Sequence, residues 1–219
     1  MTIYLLPGVG TDKRLFDRID LKGLNAVFLN WPPFANGCTL SSIAKLMADQ
    51  IKKDEPHILV GVSMGGMVAQ ELAAITKPEK VVLISSWTGP HERPTHLNVA
   101  KKLALPNLIN HFTMWATWPI KRVLGDRDRE TDQLLYRMAC EESAKKIRHG
   151  AQAIMRWKGS PWKGPVVRIH GDKDVVTPLR FPVDHIVKGG PHIMVLTKPK
   201  EVSDLIRRSI THQPDICNH

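Results

Sequence analysis

His57-Ile58-Leu59-Val60-Gly61-Val62-Ser63-Met64-Gly65-Gly66-Met67-Val68-Ala69 is the stretch whose reading decides the fold. Ile58 to Val60 form a short apolar, β-branched run. Gly61 to Gly65 fit Gly-x-Ser-x-Gly, and from Met64 onward small and apolar residues alternate as in a buried helix. The pattern predicts a strand, a sharp turn and a helix, with Ser63 at the apex. A serine held there sits in a strained backbone conformation, so Gly61 and Gly65 let strand and helix pass closely. The helix that starts at Met64 points free N–H groups toward negative charge forming near Ser63, where an acyl-transfer intermediate carries its oxyanion. A glycine-rich turn with an incidental serine is the plainer reading; the flanking strand and helix favour a displayed nucleophile.

Outward from this turn the chain alternates strand and helix. Ile3 to Leu6 is a strand candidate running into Pro7-Gly8-Val9-Gly10, a loop that can aim backbone N–H groups at an anion. Leu24 to Leu29 reads as a strand stopped by Pro32-Pro33, and Thr39 to Lys53 as an amphipathic helix capped near Thr39. The helix after Ser63 should end near Thr76, and Val81 to Ser85 has the unbroken aliphatic character of a parallel strand buried on both faces. From Thr88 to Gly164 only helical patterns occur, at Leu105–Trp118, Thr131–Cys140 and Ser143–Trp157. Strand character resumes at Pro165 to His170 and, briefly, at His185 to Val187, before a terminal helix from Pro199 to Thr211. The expected fold class is α/β, a mostly parallel sheet flanked by helices, with residues 1–87 and 164–219 as core and residues 88–163 as an all-helical lid inserted after the fourth strand.

Composition bounds the partners. The 219 residues suffice for one sizeable core, and no apolar run approaches the roughly 20 residues that a membrane span needs. The N-terminus has no basic leader and meets Pro7 and Gly8 too early for a signal peptide, so a cytoplasmic protein is expected. Cys38, Cys140 and Cys217 match neither a disulfide framework nor a zinc pattern and read as plain thiols. Net charge is +10, of which residues 88–163 hold +7, fourteen Lys/Arg against seven Asp/Glu. That excess is either a solvated surface or an attraction for an anionic substrate or partner. No nucleic-acid partner is expected, because the basic pairs Lys101-Lys102 and Lys145-Lys146 belong to no recognisable binding module. Oligomeric state is left open.

A serine hydroxyl needs a base to take its proton and a carboxylate to orient that base. Side chains that meet above one edge of a parallel sheet sit just past strand C-termini, which selects Ser63, the loop carrying Asp172 and Asp174, and His192. His170 ends a strand before the acid and reads as structural; His57, His91, His96, His111 and His149 read as surface or lid residues.

On these motifs the chain resembles a compact α/β-hydrolase. The matching pieces are Pro7-Gly8-Val9-Gly10, the elbow at Ser63, Gly171-x-x-Asp174 and Gly189-Gly190-x-His192, in the family's order of nucleophile, acid, base. The likeness spans about residues 2–87 and 164–211 and departs twice: the usual antiparallel opening strands are missing, and the segment from Asp174 to His192 is too short for a full helix. It implies Ser63 as nucleophile, His192 as general base, Asp174 as orienting carboxylate, and the backbone N–H groups of Val9 and Met64 as oxyanion hole, with no metal and no cofactor. The implied activity is hydrolysis of a carboxylic ester or thioester through an acyl-enzyme. Alternatives on the same triad are amide or C–C hydrolysis and cofactor-free perhydrolysis; outside catalysis, a ligand-binding protein could keep the fold.

Overall fold

The computed structural model describes residues 1–124, 128–160 and 162–211, and the side chains of 119–124 are left aside; the tail from Asp215 and the thiol of Cys217 lie outside the described residues. Six strands form one sheet: β1 (Thr2–Leu6), β2 (Asn25–Phe28), β3 (His57–Val62), β4 (Lys80–Ile84), β5 (Val166–Gly171) and β6 (His185–Val187). Their order is β2-β1-β3-β4-β5-β6, with every neighbouring pair parallel. β1, β3 and β4 are buried at every residue, which is why they read as unbroken apolar runs, whereas the edge strand β2 alternates exposed and half-buried.

The two-residue period of a strand divides the core. Tyr4, Leu6, Leu59 and Leu83 face one way, against α1 (Leu40–Met47) and α2 (Met64–Thr76). Ile3, Leu5, Ile58, Val60 and Val82 face the other, against Phe16, Met194, Val202 and Ile206. Each fully buried aliphatic side chain contributes roughly 1.5–3 kcal/mol. The sheet is therefore clamped between two apolar layers, the arrangement an all-parallel sheet requires.

Between β4 and β5 the chain is helical: α3 (Thr95–Lys102), α4 (His111–Leu124), α5 (Arg129–Glu141) and α6 (Ala144–Arg156). The single helix expected over Leu105–Trp118 is two pieces, a 3-10 turn at Leu105–Leu108 and then α4. Two local features force the break. Ile109 is extended, with ψ 115°, and Asn110 starts α4 afresh by exchanging hydrogen bonds with Thr113, backbone N–H to side-chain oxygen in both directions at 3.0 Å. α3 escaped the sequence reading because it buries no residue and so carries no apolar stripe: Val99 is the one apolar side chain among its five exposed residues, and Leu97 and Ala100 are only half-buried. The expected helix Thr39–Lys53 ends early, at Met47, and continues as a 3-10 turn through Gln50.

After β6 come the short α7 (Met194–Thr197) and α8 (Pro199–Thr211). No described helix is long and apolar enough to cross a membrane.

Candidate active site

The turn after β3 is tight because backbone meets backbone. A Cβ at Gly61 would collide with the main chain of Gly65 and Gly66, and one at Gly65 with the carbonyl oxygens of Leu6 and Pro7. Ser63 has φ +53°, a conformation that a residue with a side chain adopts only under constraint. The constraint is hydrogen bonding: the Ser63 N–H donates to Ile84 O at 2.9 Å, and its carbonyl accepts from Gly66 N–H at 3.0 Å and from the Ser86 hydroxyl at 2.8 Å. The side chain is thereby held in the cavity above the sheet.

The residues brought to it come from distant parts of the chain. His192 Nε2 is 3.0 Å from Ser63 Oγ, and His192 Nδ1 is 2.8 Å from Asp174 Oδ2. Asp174 is 3% exposed; its Oδ1 accepts the N–H groups of Val176 at 2.9 Å and Thr177 at 2.7 Å, and its Oδ2 accepts the Thr177 hydroxyl at 2.6 Å. Burial by itself would raise the carboxyl's pKa. The facing charge of His192 and hydrogen bonds from His170, His192 and Thr177 outweigh it, so Asp174 lies far below the usual carboxylate range. Asp172 has a different task, accepting the Gly189 N–H at 2.6 Å and so closing the β6 turn onto the β5 loop.

His170, read as a structural residue, lies against the acid loop. It is 1% exposed, with Nε2 at 2.7 Å from Thr177 O and 3.3 Å from Asp174 Oδ2. Of the histidines read as surface or lid residues, His57 is buried within the core, and His149 is buried inside the helical segment. His57 is tied to Glu55 O and the Thr76 hydroxyl, and His149, on α6, to Phe34 O at 2.8 Å. His91, His96 and His111 are exposed.

The glycine loop lies alongside. The Gly8 carbonyl accepts from Thr11 N–H at 3.3 Å, the Thr11 hydroxyl at 2.9 Å and Trp31 Nε1 at 3.2 Å. Gly8 O and Val9 N–H share one trans peptide plane and so point in opposite directions. Anchoring the oxygen therefore aims the N–H the other way. Neither the Val9 nor the Met64 N–H has an acceptor among the described residues. Sequence reasoning missed Thr11, Trp31, Thr177 and Ser86. Only Thr177 had left a signal, in Asp174-x-x-Thr177, the spacing at which a carboxylate ties up the turn that follows it.

Above Ser63 and His192 opens a cavity of about 670 Å³, bounded on the far side by Leu105, Met114, Trp118, Ile147, Ile154 and Met155 from the helical segment. Among the described residues no Lys, Arg, Asp or Glu lines it, and no group of three or more His, Cys, Asp or Glu could hold a metal ion. Of the tryptophans in this segment, Trp118 faces the cavity, Trp157 is buried against Glu71 with Nε1 2.6 Å from Oε1, and Trp115 is exposed.

No curated protein matches the sequence. Among solved structures, the chain is similar to a thermophilic esterase from Thermogutta terrifontis, with TM-score 0.76 and 14% identity, covering 96% of this chain and 89% of that one. It is similar to an esterase from Exiguobacterium antarcticum, with TM-score 0.72 and 15% identity over 97% and 92% of the two chains. A putative non-heme bromoperoxidase from Mycobacterium tuberculosis aligns with TM-score 0.71 and 18% identity over 94% and 90%. At such identities these likenesses speak to the fold alone. The sequence itself is matched by the model of the alpha/beta hydrolase family over residues 3–205, from the first strand into the last helix, and the chain belongs to that family.

Proposed function

We propose that this protein hydrolyses a carboxylic ester or thioester with an apolar acyl group, through an acyl-enzyme on Ser63. The observation that carries the reading is the unbroken path from Asp174 through His192 to the Ser63 hydroxyl, at 2.8 and 3.0 Å, opening into an uncharged cavity. His192 Nε2 takes the Ser63 proton as Oγ bonds to the carbonyl carbon. The resulting oxyanion is held by the N–H groups of Val9 and Met64. As the tetrahedral intermediate collapses, His192 returns its proton to the departing alcohol or thiol; water then attacks the acyl-enzyme by the same route and releases the acid. Asp174, held ionised by its hydrogen bonds, keeps Nδ1 protonated and steadies the imidazolium formed on the way.

Residues 88–163 act in this reading as a lid that excludes water from the cavity. The cavity wall favours a neutral acyl chain, so the positive charge of that segment serves some purpose other than binding the acyl group. The test is a panel of activated esters and acyl thioesters of graded chain length, beside Ser63→Ala. Loss of the nucleophile should cut kcat by about 10⁴ to 10⁶ while circular dichroism is unchanged. Turnover retained by Ser63→Ala refutes the reading, and tight binding without fluorophosphonate labelling of Ser63 points to a non-catalytic ligand protein.

A further inference from the structure

Six of the large hydrophobic side chains that the described structure exposes fall within residues 99–115: Val99, Leu103, Leu105, Leu108, Phe112 and Trp115, between 43% and 71% exposed. They form one surface. α3 packs on the turn at Leu105–Leu108, and the Thr113 hydroxyl donates to Leu108 O at 2.8 Å, which joins that turn to the start of α4. α4 itself has two apolar faces. Met114, Thr117 and Trp118 look into the cavity, while Phe112 and Trp115, rings 6.2 Å apart, look out. Leu105 and Leu108 belong to both surfaces, so the patch runs to the mouth of the cavity.

Charge along the segment that carries the patch has one sign. Residues 93–125 contain five Lys/Arg and not one Asp or Glu, and Lys101 and Lys102 are exposed beside Val99 and Leu103. Three of the polar side chains among the apolar ones, those of Asn110, Thr113 and Thr117, are already satisfied from within. Asn110 bonds Thr113 and Leu108 O, and the Thr117 hydroxyl donates to Thr113 O at 2.7 Å.

We infer that this patch docks on an anionic lipid surface, with Phe112 and Trp115 entering the acyl boundary and Lys101 and Lys102 meeting headgroup phosphates. Apolar and aromatic side chains flanked by lysine, without carboxylates, are what an interfacial helix needs. Self-contained polar groups suit hydrocarbon, which offers no hydrogen bonds, better than a protein partner, which would use them. A second copy of this chain is disfavoured, because a symmetric contact would bring like lysines together with no acid in either segment to offset them. Docking would set the cavity mouth against the phase in which apolar acyl compounds dissolve.

Co-flotation with lipid vesicles tests this without any turnover, so its outcome is independent of the hydrolase reading. Vesicles of phosphatidylcholine alone are compared with vesicles containing about half phosphatidylglycerol. The variants are Phe112→Ser with Trp115→Ser, and Lys101→Glu with Lys102→Glu; none of the four residues lines the cavity, and an unchanged circular dichroism spectrum and urea midpoint control for folding. The chain should float with the anionic vesicles and lose roughly tenfold or more of its partitioning in either double variant and in high salt. The inference is overturned if the chain floats with neither vesicle, if it floats equally with both, or if either variant binds as well as the parent. It is equally overturned by sedimentation that shows a dimer dissolved by the same serine substitutions, which would make a second copy the occupant.

Discussion

Three hydrogen bonds on one carbonyl oxygen, that of Gly8, set the direction of the Val9 N–H, and two of the donors can be removed without touching the cavity's acid–base groups. In the proposed hydrolysis, where the Val9 N–H would hold the oxyanion only in the transition state, Trp31→Phe should lower kcat by up to about tenfold with little change in KM; Thr11→Val should do the same, read from steady-state kinetics on one activated ester. Asp174 gives a prediction in pH. Its folded pKa is depressed, so the stability it contributes is fully present above the usual carboxylate value and is lost as pH falls toward the depressed one. The stability gap between the parent and Asp174→Asn should therefore be largest at neutral pH and shrink below about pH 4, as measured by urea unfolding at several pH values. Ser63, Asp174 and His192 were legible because each follows a strand in a short spaced motif, and the structure brings all three together. Thr11, Trp31 and Ser86 were not, because their contacts to backbone oxygens cross 3 to 23 residues with no repeating pattern. The burial of His57 was hidden for the same reason: its partner Thr76 lies on α2, 19 residues away.

β5 is fastened to the start of the helical segment. Arg168 reaches Glu92 through two hydrogen bonds, 2.9 and 2.7 Å, with its guanidinium 4.2 Å above the Phe181 ring. Burial would raise the Glu92 pKa, but the Arg168 hydrogen bonds and the Thr88 N–H bring it below its ordinary value. Arg168→Leu would leave the Glu92 carboxylate enclosed without its cation and should cost about 2–4 kcal/mol, visible as a lower urea midpoint at unchanged slope. Gly61→Ala presses a methyl group into the backbone of the following helix and should yield little folded protein. Strands and helices that bury a regular face were legible from periodicity. The break between the turn at Leu105 and α4 was not, because Asn110 and Thr113 decide it by a local side-chain exchange within a run whose apolar spacing suits a continuous helix.

For the whole molecule, the alternation of strand and helix was enough to anticipate a parallel sheet. A cavity has no such signature, because its 670 Å³ are bounded by side chains from six or more separate stretches of chain. Its uncharged wall predicts that kcat/KM for neutral esters rises about threefold to fourfold per added methylene until the space is filled, at about 0.8 kcal/mol each. Ala151→Trp, which builds an indole into the wall beside Ile147 and Ile154, should move the preferred acyl chain shorter, as read from the same chain-length series. Ser63 and His192 stand 129 residues apart in the chain. A ribosome adding roughly 5–20 residues per second needs on the order of ten seconds to travel from one codon to the other. For that interval the nascent polypeptide carries the Ser63 hydroxyl without the imidazole that meets it in the fold, so the pair cannot assemble before the sheet's far edge has been translated.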